Sequence, residues 1–225
     1  MDMDFIISLL TIIGIDIILG GDNAIVVALA CRNLPKEQRN KAIILGISLA
    51  LFIRIALTLV AVQLLQIPYL LAIGGALLIY IAYDLISQMD NEHNVHSGSN
   101  IFSAVKAILI ADFIMGVDNV IAVAGAAHGY PALVIFGLII SVPIIILGSK
   151  LILYFFERFP FVIYIGAGIL AFTAGRMITH EEQLAPLFES HPIITIIFQA
   201  AVIIGVLLTG FFKQRGLLSY FYTKY

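Results

Sequence analysis

Long apolar runs separated by short polar segments dominate this chain. Seven such runs can be drawn, at 5–30, 42–64, 69–87, 105–127, 132–155, 160–179 and 193–212. Each run reaches the length of about 18 residues that marks a membrane-spanning helix, and none shows the alternation expected of a barrel strand. The pattern therefore predicts an all-α, polytopic membrane protein with seven transmembrane helices.

The composition agrees with a membrane protein. Of the 225 residues, 61% are hydrophobic and 12% are charged, whereas soluble domains are closer to half apolar and a quarter charged. The formal net charge is −2, and no basic block suggests a nucleic-acid partner. Membrane lipid is the expected surrounding, and nothing in the pattern specifies an oligomeric state. The single cysteine, Cys31, excludes an internal disulfide framework.

The lysines and arginines between the apolar runs predict the orientation. Polar segments on one side carry Arg32, Lys36, Arg39, Lys41, Arg158, Lys213, Arg215 and Lys224. The segments on the opposite side contain neither Lys nor Arg. Because cytoplasmic loops carry the excess of positive charge, we expect the amino terminus outside and the carboxy terminus in the cytoplasm.

The chain contains an internal repeat. The stretch "DIILGGDNAIVVALA" from Asp16 aligns without gaps with "DFIMGVDNVIAVAGA" from Asp112, and "IPYLLAIGGALLIYIAYDLI" with "FPFVIYIGAGILAFTAGRMI". This predicts one transport domain over 1–225, with repeats at 5–87 and 105–179 and a seventh helix at 193–212. Each repeat contains three predicted helices. Because this number is odd, the two repeats enter the membrane from opposite sides. Such inverted repeats are typical of secondary transporters, whose sites lie near the membrane midplane.

Four aspartates lie near the centres of the first and fourth runs. Opposite directions for these runs predict two layers, with Asp16 at the depth of Asp118 and Asp22 at the depth of Asp112. Glycines weaken helices, so Gly20-Gly21 and Gly116 predict a helix break before Asp22 and before Asp118. Such breaks would turn the acids toward one cavity and free backbone carbonyls as ligands.

Burying these acids has a cost that needs an offset. At about 2.5–3.5 kcal/mol for each central charge, four ionised carboxylates would cost about 10 kcal/mol or more. Arg54, near the middle of the second run, is a candidate counter-charge, but one arginine cannot neutralise four acids. A bound divalent cation, with protons on the remaining acids, fits better. Carboxylate, amide and carbonyl oxygens suit Mg²⁺, Ca²⁺ and Mn²⁺, while the alternative is that the Asp-Asn pairs are packing contacts between helices.

At "GGDNAIVVA" and "GVDNVIAVAG" the sequence resembles the TerC family of bacterial integral membrane proteins, and the resemblance covers nearly the whole chain. It implies a manganese exporter of the lysine-exporter-like superfamily in the bacterial cytoplasmic membrane. The resemblance also implies that the metal-site residues are the two Asp-Asn pairs, Asp22-Asn23 and Asp118-Asn119. Asp16 and Asp112 are the companion acids of these pairs in the two repeats.

The leading hypothesis is a secondary transporter that exports a divalent cation, Mn²⁺, by alternating access and proton exchange. No enzymatic activity and no cofactor other than the transported cation are expected. A second hypothesis is an intramembrane aspartyl protease, although such enzymes resemble a G-x-G-D pattern and here Leu19 precedes Gly20-Gly21-Asp22. A third is a membrane partner in metal or tellurite stress that transports nothing itself.

Overall fold

The computed structural model describes residues 3–60, 67–87, 100–126, 131–159 and 161–214. This part of the chain is helical and contains no strand, which confirms the predicted fold class. The helices, numbered along the chain, are α1 (Met3–Cys31), α2 (Lys36–Leu59), α3 (Leu70–Ser87), α4 (Ile101–Ala126), α5 (Pro131–Arg158), α6 (Phe161–Thr179), the short α7 (Ala185–Glu189) and α8 (Pro192–Gln214).

Six of the described helices are long and apolar enough to cross a membrane: α1, α2, α3, α5, α6 and α8. The fourth predicted run corresponds to α4, in which several side chains, that of Asp118 among them, lie outside the described set. The protein is therefore a polytopic membrane protein, and the seven-span layout stays a prediction. The polar segment between the sixth and seventh predicted runs, at 180–192, was expected to be a loop but contains the short helix α7.

The polarity of the bundle is that of a protein surrounded by lipid. Large apolar side chains point outward, and Phe102 and Ile18 are 74% and 80% exposed. The charged side chains at the centres of α1 and α2 point inward, where Asp16 and Arg54 are 2% and 6% exposed. A soluble protein has the reverse preference, so the outer surface of this bundle matches an apolar solvent.

The helix packing has a counterpart in each half of the chain. Helix α1 packs against α5, and its repeat equivalent α4 packs against α2; α1 also contacts α4, α2 contacts α5, and α3 contacts α6. Helix α8 lies outside this set and covers α3 and α6. If each helix of one repeat is replaced by its equivalent in the other, these contacts map onto one another, as repeats related by symmetry require. The inverted arrangement of the repeats in the membrane stays a prediction.

Two glycines permit close contacts at equivalent places in the two repeats. A Cβ placed on Gly46 of α2 would approach Ile108 of α4 to 2.7 Å, and one placed on Gly137 of α5 would overlap Ile12 of α1. Ile12 and Ile108 occupy equivalent places, each one helical turn before the first aspartate of its repeat motif. The same small-against-large contact therefore holds α1 to α5 and α4 to α2.

The predicted helix breaks are absent, because α1 and α4 run without interruption through their glycines. A Cβ on Gly20 would lie 3.3 Å from Ile145 of α5, and one on Gly116 would lie 3.2 Å from Leu57 of α2. These glycines therefore serve close helix packing rather than a break. Neither helix releases backbone carbonyls as ligands at these positions.

The start of α3 is held by an acid that follows α6. Glu181 is buried, and its carboxylate accepts hydrogen bonds from the backbone N–H groups of Tyr69 at 3.0 Å, Leu71 at 2.9 Å and Ala72 at 3.1 Å. These are unpaired donors of a helix amino terminus, where a negative charge is favourable. The bonds tie α3 to α6 and accommodate Tyr69, whose φ is 62°.

Candidate functional site

One arginine joins two acids at the centre of the bundle. Arg54 of α2 donates from Nη1 to Asp16 of α1 and from Nη2 to Asp112 of α4. All three side chains are at least nine-tenths buried. Each carboxylate thus has a charge-assisted partner, which is the requirement for holding ionised groups away from water. The proposed counter-charge of the sequence analysis therefore lies between two of the four acids.

This arrangement corrects the predicted pairing of the acids by depth. Asp16 and Asp112 bond to the same planar guanidinium, so they cannot be separated by the roughly 9 Å that six helical residues span. The two positions are equivalent in the repeats, and α1 and α4 contact each other. Equivalent residues meet where two such helices cross. The position of an acid along its own helix therefore does not by itself determine which acid of the other helix lies beside it.

A small cavity adjoins this ion-pair cluster. Its volume is about 30 Å³, which has room for one or two water-sized species. Ser141 of α5 is buried and donates a hydrogen bond to Asp16 Oδ2. Asn23 also lines the cavity and is 5% exposed, and no described residue forms a hydrogen bond with either polar atom of its amide. Asp112 Oδ2 is likewise buried and has no hydrogen-bond partner among the described residues.

A second, larger cavity contains another of the acids. Its volume is about 280 Å³, and its lining comes from α1, α4 and α6. Asp22 and Asn119 lie on its wall, and Thr173 donates a hydrogen bond to Asp22 Oδ2. Arg176 lies on the same wall. Asp22 is partly exposed, so water in this cavity can hydrate its carboxylate.

The structure divides the predicted site residues between the two cavities. Asp16, Asn23, Asp112 and Arg54 line the small cavity, while Asp22 and Asn119 line the large one. The side chain of Asp118 is outside the described set. Within the described residues, no group of three or more His, Cys, Asp or Glu side chains is placed to hold a metal ion.

Two polar residues of these cavities were missed by sequence reasoning. Ser141 and Thr173 are the hydroxyl partners of Asp16 and Asp22. Each is a Ser or Thr within an apolar run, and such residues commonly bond to the backbone of their own helix. Only the neighbouring helices reveal that they face acids. Asn23, by contrast, follows Asp16 by seven residues, or about two helical turns, which places both on one helix face.

Comparison with known proteins agrees with this membrane architecture. The sequence model of the integral membrane protein TerC family matches residues 1–217. The uncharacterized membrane protein YjbE of Bacillus subtilis strain 168 is 45% identical over 215 residues, covering 96% of this chain and 99% of that protein. No solved structure matches the chain.

More distant relatives share the same region. The UPF0053 inner membrane protein YoaE of Escherichia coli strain K12 is 27% identical over 183 residues, which are 72% of this chain and 35% of that protein. A UPF0053 protein of Haemophilus influenzae is 26% identical over 193 residues, with 73% and 81% of the two chains covered. The match of the family model over nearly the whole length is decisive: the chain belongs to the integral membrane protein TerC family.

Proposed function

We propose that this protein is a secondary transporter that exports a divalent cation, Mn²⁺, across the bacterial cytoplasmic membrane. The observation that carries the proposal is the convergence of Asp16 and Asp112 on Arg54, at the junction of the two repeats. Buried ionisable residues inside a membrane bundle mark ion pathways and proton relays. Membership of the TerC family supports the same assignment.

The chemistry of the two cavities supports a hard cation as cargo. Carboxylate, amide and hydroxyl oxygens line both of them, and such ligands suit Mg²⁺, Ca²⁺ and Mn²⁺. The choice of Mn²⁺ among these ions rests on the family resemblance. In the small cavity, oxygens of Asp16, Asp112 and Asn23 would hold the ion, and in the large cavity Asp22 and Asn119 would do so.

Transport follows from alternating exposure of these acids. In the proposed orientation, with the amino terminus outside, the ion enters from the cytoplasm and binds between α1 and α4. A relative movement of the repeats then exposes it to the outside, and protons that bind the released carboxylates drive its departure. In this cycle a carboxylate that has released the ion is balanced either by a proton or by a cationic side chain of the protein, so that no acid stays in the membrane with an unbalanced charge.

The test is metal flux through purified protein in liposomes. Asp22→Asn and Asp118→Asn should each abolish Mn²⁺ efflux under an imposed pH gradient, because the amide keeps the shape but neither balances the cation nor takes up a proton. Glu37→Gln is the matched control, since Glu37 is exposed in the first turn of α2, and its flux should equal that of the wild type. Unchanged efflux in both aspartate variants would refute the assignment.

The same preparation separates transport from the two rival hypotheses. A protease needs an acid pair free to activate water, whereas both Asp16 and Asp112 are bonded to Arg54. Cleavage of a transmembrane peptide by the purified protein, without Mn²⁺ flux, would favour the protease. Full cellular function after replacement of all four aspartates by asparagine would favour a membrane partner that transports nothing.

A further inference from the structure

Arg54 occupies the position that a bound cation would take between two acids. Its two terminal nitrogens are both engaged, one by Asp16 and the other by Asp112. The remaining oxygen of Asp112 and the amide of Asn23 are buried and have no hydrogen-bond partner within the described part of the chain, and both residues line the adjoining cavity. The cluster therefore has a cation belonging to the chain itself and polar atoms left over for another ligand.

The arginine is supplied by one repeat alone. When Gly46 and Gly137 are superposed, as their equivalent contacts with Ile108 and Ile12 require, Arg54 aligns with Ile145. Two equivalent acids therefore share one guanidinium. The group stays protonated and is more weakly hydrated than an ammonium, so it can leave and re-enter a dry site without loss of charge.

We infer that Arg54 is a tethered counter-cation, which neutralises Asp16 and Asp112 in the empty carrier and is displaced when the divalent ion binds. The inference rests on the proposed function and adds a step to it. A second cation beside these acids would repel the guanidinium strongly at such short range in a buried site. Binding of the divalent ion and contact of Arg54 with Asp16 and Asp112 therefore exclude each other. After release, the guanidinium returns and allows the empty carrier to reorient.

The first test measures binding by the purified protein. We take the state in which Arg54 is away from both acids to make up about one tenth or less of the metal-free protein. Removing the guanidinium should then tighten the apparent Mn²⁺ affinity by at least about tenfold. Arg54→Gln should show this gain, together with a larger Mn²⁺-induced rise in unfolding temperature than the wild type. Arg158→Gln, an exposed arginine at the end of α5, is the matched control and should bind as the wild type does.

The second test separates exchange from net transport in liposomes. Arg54→Gln should retain exchange of labelled Mn²⁺ against internal Mn²⁺, because the loaded carrier still reorients. Its net efflux into metal-free medium should fall at least about tenfold, because the empty carrier then exposes two uncompensated acids. Arg54→Lys should restore net efflux in part, since an ammonium supplies the charge without the planar fork.

The possible results distinguish failure of the proposed function from failure of the role inferred for Arg54. Wild-type protein that neither binds nor transports Mn²⁺ would overturn the proposed function and this inference together. Wild-type transport with unchanged affinity and net efflux in Arg54→Gln would overturn the inference alone, as would loss of exchange in a folded variant. If Arg54→Gln does not fold, Arg54→Lys decides: a weaker competitor should tighten Mn²⁺ binding by about threefold, and unchanged or weaker binding refutes the competition.

Discussion

The two cavities hold chemically identical acids in opposite environments. Asp16 and Asp112 lie beside a space of about 30 Å³ and are neutralised by Arg54. Asp22 lies on the wall of a space of about 280 Å³ and bonds to the neutral hydroxyl of Thr173. The difference teaches that a membrane bundle can keep a carboxylate in two ways, by direct bonds to a cationic side chain or by a neutral hydroxyl partner and room for water and ions.

The largest effect should follow from removing the counter-charge of the small cavity. Without divalent cations, Arg54→Met should lower the free energy of unfolding by about 3–5 kcal/mol, because it leaves two buried acids without a cationic partner. Denaturant titration in detergent micelles would measure it. Combining Arg54→Met with Asp16→Asn and Asp112→Asn should recover most of the stability. A single variant as stable as the wild type would show that water already reaches the cluster.

A smaller effect should separate the two cavities through their hydroxyl groups. Ser141→Ala removes a buried donor from Asp16 and should cost about 1.5–3 kcal/mol, the range for hydrogen bonds to charged groups. Thr173→Val removes the donor from Asp22 but should cost less than about 1 kcal/mol, because water in the larger cavity can replace it. Equal losses in the same titration would contradict the difference in hydration.

The smallest effect should come from the packing that supports the small cavity. Gly137 and Ile12 lie one helical turn before Ser141 and Asp16, respectively. Gly137→Ala places a Cβ onto Ile12 and should destabilise the protein by about 1–2 kcal/mol, after the better helix propensity of alanine is counted. Thermal unfolding in detergent measures the change.

The matched control for this packing prediction is on α1. A Cβ on Gly14 would have no neighbour within 4 Å among the described residues, so Gly14→Ala should be neutral or stabilising by up to about 1 kcal/mol. If both alanine variants behave alike, the close approach of α1 and α5 is not maintained in the protein in solution, and the position of Asp16 beside Ser141 would need another explanation.

Much of the fold follows directly from the sequence. The apolar runs mark the long helices to within six residues at each end, since a run long enough to cross lipid can satisfy its backbone only as a helix. The aligned "DIILGGDN" and "DFIMGVDN" stretches also anticipated that α1 and α4 would play equivalent parts. The polar loops were harder to predict, as α7 and the carboxylate of Glu181 at the start of α3 show.

The arrangement of the site was predictable only in part. The acids and Arg54 stand out because charge is rare in apolar runs, but their partners depend on where helices cross. Depth along the membrane suggested Asp16 with Asp118, whereas the contact between α1 and α4 brings Asp16 near Asp112. The glycines misled for a related reason: Gly20 and Gly116 suit either a break or close packing, and only the neighbouring Ile145 and Leu57 decide between them.

The unbroken course of α1 and α4 has a consequence for how this protein can change over evolution. A continuous helix uses its interior carbonyls within its own backbone, so the ligands of the proposed cation would be side chains or water. Each side-chain ligand is then encoded by a single codon. Selectivity among cations can consequently be altered one substitution at a time, with no need to rebuild the backbone around the ion.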